Sequence, residues 1–331
     1  MKKAPKILIV GSLVMDTIMS TEVFPEPGAT VLGDTFRTAP GGKGANQAVQ
    51  TARLGADVTM VGKLGDDAFG SVLRNALISD GIHTEHLMEK KGASSAAASI
   101  ILTTKDGVAL NNRIIVASGT NMMITPEDVA FLKEEIAQYD MVILQLEIPM
   151  QINEIVAAYA FDKGVPVMLN PAPIAPLSDE LLSHITYLSP NETEAASLLG
   201  MVVRREGEGI PHDKVPRIRE VMQKRGIRNL LLTLGDAGAM MITQDDVILE
   251  ESVKGIHAVD PTAAGDSFVG AFCTGKCLGM SDAEAIRLAN IIGAITVSGM
   301  GAQPSLATFD KVRAFVKEHG IDDAILRYFE D

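Results

Sequence analysis

Short apolar runs alternate with amphipathic segments along most of this 331-residue chain. Between two such runs, Ala45, Ala48, Val49 and Ala52 follow the i, i+3, i+4, i+7 spacing of one helix face. Strands that alternate with helices form a mostly parallel sheet, and its two faces are covered by the helices. The sequence therefore predicts an α/β fold. The apolar runs that predict its strands include KILIVGS (6–12), MVILQLE (141–147), VPVMLNP (165–171), ITYLSPN (185–191) and RNLLLTLG (228–235).

Two segments, residues 12–41 and 92–118, interrupt this alternation. Both have the composition of strands, and neither contains a helical pattern. We interpret them as one small β-sheet that is inserted into the main domain and covers a site; edge decoration of the main sheet is the alternative. The α/β core then comprises residues 1–11, 42–91 and 119–331.

Charge and composition exclude several classes of protein. With 29 Lys and Arg against 42 Asp and Glu, the net charge is −13, and no basic tract predicts nucleic-acid binding. No apolar run reaches the length of a membrane span, and the N-terminal one is too short for a signal peptide. Cys273 and Cys277 cannot form a disulfide framework and are expected to fill the core. Together these features predict a cytoplasmic protein.

Three stretches resemble known binding motifs, but each lacks an essential part of the motif. The first strand leads into GSLVMD (11–16), which lacks the glycine pattern of a dinucleotide site. The stretch GAFCTGKC (270–277) resembles a P-loop, but it ends in Cys and no strand precedes it. His83 and His86 have no third metal ligand nearby, so we expect a solvated loop there.

The stretch PGGKGANQA (40–48) precedes a predicted helix. Gly41 and Gly42 allow the backbone to approach a ligand closely, and Lys43 adds a positive charge. Asn46 would project from the first turn of the helix. The pattern favours a ligand-binding turn, and a plain glycine-rich turn remains the alternative.

A second candidate stretch, SPNETEA (189–195), ends a strand and begins a helix. Asn191 and Glu194 are three positions apart and therefore share one helix face. Glu194 could hold hydrated Mg²⁺ beside phosphate groups. Capping of the helix by Asn191 is the alternative.

The stretch PTAAGD (261–266) places a carboxylate beside backbone that carries almost no side chains. Bare N–H groups of Ala263–Gly265 at a helix N-terminus favour an anion, such as a γ-phosphate in transfer. Asp266 can accept the proton of an attacking hydroxyl. Phosphoryl transfer requires little beyond positioning, a base and charge neutralisation. The sequence therefore predicts a phosphotransferase with Asp266 as its base; capping of a core helix is the alternative.

The chain resembles the ribokinase-like (PfkB) carbohydrate kinases over nearly its whole length. The resemblance rests on GGKGANQAVQTARLG, QLEIP, LNPAP, SPNETEA, LLTLGDAG, AVDPTAAGDSF and GAQPS, in the order of the family. It implies a three-layer α/β sandwich with a mostly parallel central sheet and a small β-lid. It also implies ATP, Mg²⁺ and K⁺ as cofactors, and a homodimer that forms through the lid.

The resemblance assigns a role to each matching position. Asp266 is implied as the catalytic base, beside an anion hole at Ala263, Ala264 and Gly265. The implied sugar-binding residues are Asp16, Gly42, Lys43, Asn46, Glu147 and Asp266. The implied positions near Mg²⁺, the phosphates and the nucleotide are Asn191, Glu194, Thr233, Gly235, Gly238, Gly265 and Asn290. The implied monovalent-cation site comprises Asp260, Thr262, Thr296, Gly299, Gly301 and Ser305.

One position departs from the family. Ribokinase-like enzymes often have N-x-D after the first strand, whereas here Val14 stands in place of the Asn. The expected reaction is phosphorylation of the primary hydroxyl of D-ribose. Because valine cannot form a hydrogen bond to a sugar hydroxyl, 2-deoxyribose or another furanose is an alternative substrate. Kinases of nucleosides or hexose phosphates are further alternatives. A non-enzymatic sugar-binding regulator is disfavoured, because Asp266 and its anion hole are intact.

Overall fold

The computed structural model describes residues 3–105, 108–204 and 212–329. Nine of its strands form one sheet in the order β13-β12-β11-β10-β9-β8-β1-β4-β5, and four form a second sheet in the order β3-β2-β6-β7. The strands are β1 (Lys6–Val10), β2 (Val14–Thr21), β3 (Thr35–Gly41), β4 (Asp57–Gly65), β5 (Leu87–Lys90), β6 (Ala96–Lys105), β7 (Val108–Ala117), β8 (Met141–Gln145), β9 (Val167–Asn170), β10 (Tyr187–Leu188), β11 (Asn229–Thr233), β12 (Ala239–Ile242) and β13 (Val247–Glu250).

Helices cover both faces of the nine-stranded sheet. α1, α2, α9, α10 and α11 pack on one face, and α3 to α8 pack on the other. Within the described residues, none of these helices is both long and apolar enough to cross a lipid bilayer. The helices are α1 (Lys43–Arg53), α2 (Ala68–Ser79), α3 (Pro126–Val129), α4 (Leu132–Glu135), α5 (Met150–Asp162), α6 (Asp179–His184), α7 (Glu192–Leu199), α8 (Val215–Arg225), α9 (Ala264–Cys277), α10 (Asp282–Val297) and α11 (Phe309–Glu318).

The central strands are apolar on both sides, and this explains the three layers. In β1, Ile7 and Ile9 face the α1 side while Leu8 and Val10 face the α5 side, and all four side chains are fully buried. Strands from β5 to β11 pair in parallel, and β12 and β13 join antiparallel at one edge. The predicted α/β fold with a mostly parallel central sheet is confirmed.

The four-stranded sheet is built from the two segments that interrupt the alternation. β2 pairs antiparallel with β3 and parallel with β6, which pairs antiparallel with β7. Residues 106 and 107, between β6 and β7, lie outside the described residues. Large apolar side chains of this sheet are exposed, including Phe36 and Ile115 at 65% and 73%. The small second sheet is thus confirmed, while the division of the chain into core and lid stays a prediction.

The rejected motifs have ordinary structural roles. The P-loop-like stretch lies inside α9, where Cys273 is fully buried and Cys277 packs against the same core. His83 Nε2 lies 2.8 Å from Asp57 Oδ1, and His86 stacks on a phenylalanine. No group of three or more His, Cys, Asp or Glu side chains in the described chain is arranged to hold a metal.

Candidate active site

The candidate site is a polar cavity at the carboxyl edge of the parallel sheet. Parallel strands end at the same edge, and in open α/β sheets this edge is where ligands bind. The cavity combines loops that follow β9, β10 and β11 with the first turns of α1, α7 and α9. It is lined by Lys43, Asn170, Ala172, Ser189, Asn191, Glu194, Thr233, Pro261, Ala263, Gly265, Asp266 and Val269.

The first turn of α9 forms one wall of this cavity. Ala263 has φ of 62°, the only left-handed backbone among the described residues other than glycine, and no described side chain caps the helix. Such strain costs of the order of 1–3 kcal/mol and persists where the surrounding structure imposes it. The position of a Cβ at Gly265 has no heavy atom within 4 Å. The backbone at Ala263 and Gly265 thus borders the cavity without side-chain crowding, at a helix N-terminus, where anions are favoured.

Asp266 lies in the same turn, and its side chain is buried. Asn46 Nδ2 donates to its Oδ2 over 2.9 Å, and Gln47 Nε2 donates to its Oδ1 over 3.1 Å. The Asp266 carboxylate raises the pKa of the Lys43 ammonium, although burial of that lysine acts in the opposite direction. The site thus holds a carboxylate and a cationic group side by side at a helix N-terminus.

A pair of carboxylates, Asp16 on β2 and Glu147 after β8, lies beyond Lys43. Glu147 Oε2 accepts hydrogen bonds from Ser12 Oγ at 2.5 Å and from the Lys43 backbone N–H at 3.0 Å. Burial, and after it the charge of Glu147, raises the pKa of Asp16 to about 6. These oxygens are acceptors that suit hydroxyl groups.

Gly42 connects this acidic end to α1. Its φ is 93°, and a Cβ at this position would lie 2.7 Å from the Val14 backbone nitrogen. A side chain is therefore excluded on two grounds, which are the left-handed backbone and the contact with β2. Val14 itself is buried beside Ala96 and Ala98 of β6.

Asn191 and Glu194 form a capping box at the start of α7. Asn191 Oδ1 accepts the Glu194 backbone N–H, and Glu194 Oε2 accepts the Asn191 backbone N–H, both at 2.9 Å. Both residues also line the cavity, and burial raises the pKa of Glu194. Capping and a place in the site, which the sequence left as alternatives, are therefore both present.

The predicted nucleotide residues fall into two groups. Thr233 ends β11 and lines the cavity. Gly235 follows with φ of 54°. Gly238 and Asn290 both contact the end of β13: a Cβ at Gly238 would lie 2.2 Å from the Glu250 carbonyl oxygen, and Asn290 Nδ2 donates to that oxygen over 2.8 Å. These two residues hold the segment at 250–252 in place, outside the residues that line the cavity.

The predicted cation-site residues come together beside Ala263. Asp260 accepts hydrogen bonds from the Thr262 N–H and hydroxyl on Oδ1 and from the Gly301 N–H on Oδ2. Burial alone would raise the pKa of Asp260, but these bonds lower it overall. The Thr296 carbonyl accepts the Gly299 N–H. Gly299 packs so closely on Ser305 that a Cβ would lie 2.8 Å from the Ser305 Cβ.

A family comparison decides the class of protein. The profile of pfkB family carbohydrate kinases matches residues 4–308. The chain belongs to this family. The pfkB kinase is accordingly a phosphotransferase with an alcohol group as acceptor.

Individual relatives align over most of the pfkB kinase. The ribokinase of Bacillus subtilis is 37% identical over 92% of this chain and 97% of its own. The structure of Arabidopsis thaliana ribokinase complexed with ribose and ATP covers 95% of this chain and 99% of its own, with a TM-score of 0.84 and 32% identity. The deoxyribokinase of Salmonella typhi is 31% identical over 94% of this chain and 98% of its own.

Sequence patterns did not identify four polar residues at the site of the pfkB kinase. Ser12 joins Glu147 to the N-terminus of α1, since its Oγ also accepts the Gly44 N–H over 3.2 Å. Gln47, Gln145 and Asn170 form a buried amide cluster behind Asp266. The only sequence feature that could have identified Gln47 as a site residue is its position next to Asn46. Gln145 and Asn170 could have been identified because each is a polar residue at the end of an apolar strand.

Proposed function

We propose that this pfkB kinase transfers the γ-phosphoryl group of ATP to the primary hydroxyl of a pentofuranose, with D-ribose as the lead substrate. One observation carries the proposal: the Asp266 carboxylate lies in the first turn of a helix that no described side chain caps, and it lines one cavity together with Lys43 and Glu194. The ribose-bound and ATP-bound relative from Arabidopsis thaliana supports the choice of both substrates.

In the proposed reaction, the sugar hydroxyl oxygen forms a bond to the γ-phosphorus as the bond to the β-phosphate oxygen breaks. The hydroxyl proton moves to Asp266, and ADP leaves with the electron pair of the broken bond. The N–H groups at the start of α9 face the transferring group and stabilise its charge. The Lys43 ammonium adds positive charge nearby.

The sugar is proposed to lie between Asp266 and the carboxylates of Asp16 and Glu147. Sugar hydroxyls are donors, and these carboxylates accept. Asn46 supports the same placement, because Asn46 Oδ1 is buried and has no hydrogen-bond partner among the described residues. A buried amide oxygen without a donor is unfavourable, and a sugar hydroxyl can supply the donor.

Mg²⁺ is proposed to accompany ATP. This ion keeps several waters and binds phosphates together with one or two carboxylates, so a dedicated cluster of protein ligands is not required. Glu194 is the carboxylate that fits, because it lines the cavity near Lys43 and Asp266. The ion would neutralise phosphate charge, and Glu194 and Asn191 would hold it through its water shell.

A monovalent cation, K⁺, is proposed for the loops beside α9. Backbone carbonyls are the ligands for such an ion, and segments 259–262 and 296–305 converge there. Their contact point lies next to the left-handed Ala263. An ion between these loops would order the backbone at the entrance of α9.

The four-stranded sheet is proposed to act as a lid and as the interface of a homodimer in the cytoplasm. Its exposed apolar side chains include Met19, Phe36, Ile114, Ile115 and Val116. A thin sheet cannot bury such a surface against itself. We expect the mass of a dimer in solution at micromolar concentration, and the mass of a monomer for Ile115→Asp. A monomeric parent protein would contradict the dimer.

A second candidate substrate, 2-deoxyribose, is favoured by one specific observation. Val14 shares a face of β2 with Asp16, because alternate residues of a strand point the same way, and it is buried beside Ala96 and Ala98. The wall next to Asp16 is therefore apolar. The deoxyribokinase of Salmonella typhi among the relatives agrees with this candidate.

ATP consumption measured over a sugar panel tests the proposal. The panel comprises ribose, 2-deoxyribose, a hexose, a hexose phosphate and a nucleoside. We expect the highest kcat/KM with ribose and the next highest with 2-deoxyribose. Faster turnover of a nucleoside or hexose phosphate would reassign the substrate. Sugar binding without ATP consumption would indicate a regulator in place of a kinase.

A further inference from the structure

The two oxygens of the Asp266 carboxylate are held by amides from consecutive residues of α1. Asn46 Nδ2 donates to Oδ2, and Gln47 Nε2 donates to Oδ1. One helix therefore fixes the plane of the carboxylate, because each of its oxygens has its own donor. This arrangement determines which lone pairs of the base remain for a substrate proton.

The two amides differ in their access to the cavity. Gln47 is fully buried, whereas Asn46 keeps 5% of its surface exposed. Asn46 Oδ1 also lacks a partner among the described residues, so Asn46 can exchange hydrogen bonds with a substrate. Gln47 has no exposed surface to do so. Its bond to Asp266 is the one that can persist while substrates bind and leave.

The orientation of the Gln47 amide is dictated by the chemistry of its neighbours. An ionised carboxylate only accepts hydrogen bonds, so the NH₂ end of Gln47 must face Asp266. Gln47 Oε1 then accepts from Gln145 Nε2 over 2.7 Å, and Gln47 Nε2 also lies 3.3 Å from Asn170 Oδ1. Gln145 Oε1 is buried beside Gly11, where an added Cβ would lie 2.0 Å from it, and it has no hydrogen-bond partner among the described residues. The amide hydrogen bonds therefore run from Gln145 to Gln47 and from Gln47 to Asp266.

We propose that Gln47 is a positioning residue, which holds the Asp266 carboxylate with Oδ2 oriented towards the sugar. Gln145 acts one step behind it by holding the Gln47 amide in the donating orientation. This inference rests on the proposed kinase function. It adds two buried amides, Gln47 and Gln145, to the groups that position Asp266; we call these two residues the amide relay.

Other charged groups also face Asp266. Lys43 of α1 and Glu194 of α7 interact with it electrostatically, and Glu147 acts on Lys43. All three are unchanged in the variants described next. Differences between those variants therefore report on the amide relay alone.

The test compares Gln47→Met with Gln50→Met. Gln50 is an equally buried residue of α1, and its amide exchanges two hydrogen bonds with the Ala307 backbone instead of bonding to Asp266. The measurements are kcat and the KM values for ribose and ATP. In Gln47→Met we expect kcat to fall about 10- to 100-fold, the approximate scale for one hydrogen bond to a charged group, with little change in either KM. This split between kcat and KM separates a misoriented base from a general loss of packing.

Gln50→Met should lose thermal stability and keep the kcat of the parent enzyme. Gln145→Met should also lower kcat, but less than Gln47→Met, and it provides the test if Gln47→Met does not fold. An unchanged kcat in a folded Gln47→Met protein, or in a folded Gln145→Met protein where Gln47→Met does not fold, overturns the inference. An inactive parent enzyme would instead overturn the proposed function, so the two failures are distinguishable.

Discussion

Two parts of the proposed site differ in the groups that form them. The part proposed to bind phosphate, called the phosphate-facing end, consists of backbone N–H groups at the start of α9, beside the left-handed Ala263. The part proposed to bind the sugar, called the sugar-facing end, consists of side chains, chiefly Asp16 on the small sheet and Glu147 on a loop of the central sheet. The first end depends on the path of the backbone, and the second depends on which residue occupies each position. Substitutions at the second end should therefore alter sugar choice, whereas at the first end Asp266 is the side chain whose substitution should affect phosphoryl transfer.

The largest effect is expected at the phosphate-facing end. Asp266→Asn keeps the shape of the side chain but removes the proton acceptor. We expect kcat to fall by a factor on the order of 10²–10⁴, the usual scale for loss of a general base. The fold and ATP binding should change little. Turnover within about threefold of the parent enzyme would remove Asp266 from this role.

The next effect concerns pH at the sugar-facing end. Asp16 has a pKa raised to about 6, so it is protonated below that pH and loses acceptor capacity for sugar hydroxyls. We expect kcat/KM for ribose to fall about tenfold for each pH unit below 6, with a smaller change in kcat. Asp16→Asn should lower kcat/KM at neutral pH and abolish its further decrease below pH 6. If that decrease persists in Asp16→Asn, it arises from the titration of another group.

A smaller effect is expected for sugar choice. Val14→Asn supplies an amide on the face of β2 that carries Asp16. One net hydrogen bond contributes about 0.5–1.5 kcal/mol, so the ratio of kcat/KM for ribose over 2-deoxyribose should rise roughly tenfold. Val14→Ile, which adds no polar group, is the control. An unchanged ratio in Val14→Asn would mean that the side chain at position 14 does not contact the sugar.

The smallest effect is expected from the monovalent cation. Replacing Na⁺ by K⁺ at constant ionic strength should raise kcat by a few-fold, because an ion between the two loops orders the backbone before α9. Asp260→Asn, which weakens the loop hydrogen bonds, should reduce the difference between the salts. Equal rates of the parent enzyme in both salts would argue against a functional cation site.

Much of the fold was predictable because its signals are local. The alternation of Ile7, Leu8, Ile9 and Val10 between the two faces of the sheet follows from the period of a strand, and the apolar runs marked most of the other strands. The capping box at Asn191 and Glu194 was also within reach, as its partners are three positions apart.

The arrangement around Asp266 was not predictable in this way. Its contacts with Asn46 and Gln47 join residues 220 and 219 positions apart, and no spacing rule connects them. The left-handed backbone at Ala263 contradicts the local preference of alanine, so tertiary structure must impose it. The resemblance to a family placed Asp266 and Asn46 in the site, but it gave no partner for Gln47.

The parallel pairing of β2 with β6 has a consequence for the order of folding. Val14 pairs with Ala96, and the stretch between β3 and β6 contributes α1, β4, α2 and β5 to the central domain. The four-stranded sheet is therefore a non-local structure, whose closure entropy must be overcome before its contacts are gained. We therefore expect its two halves to pair after the intervening units have docked. Folding intermediates should then contain the central sheet before the small one, with the strands of the sugar-facing end still unpaired.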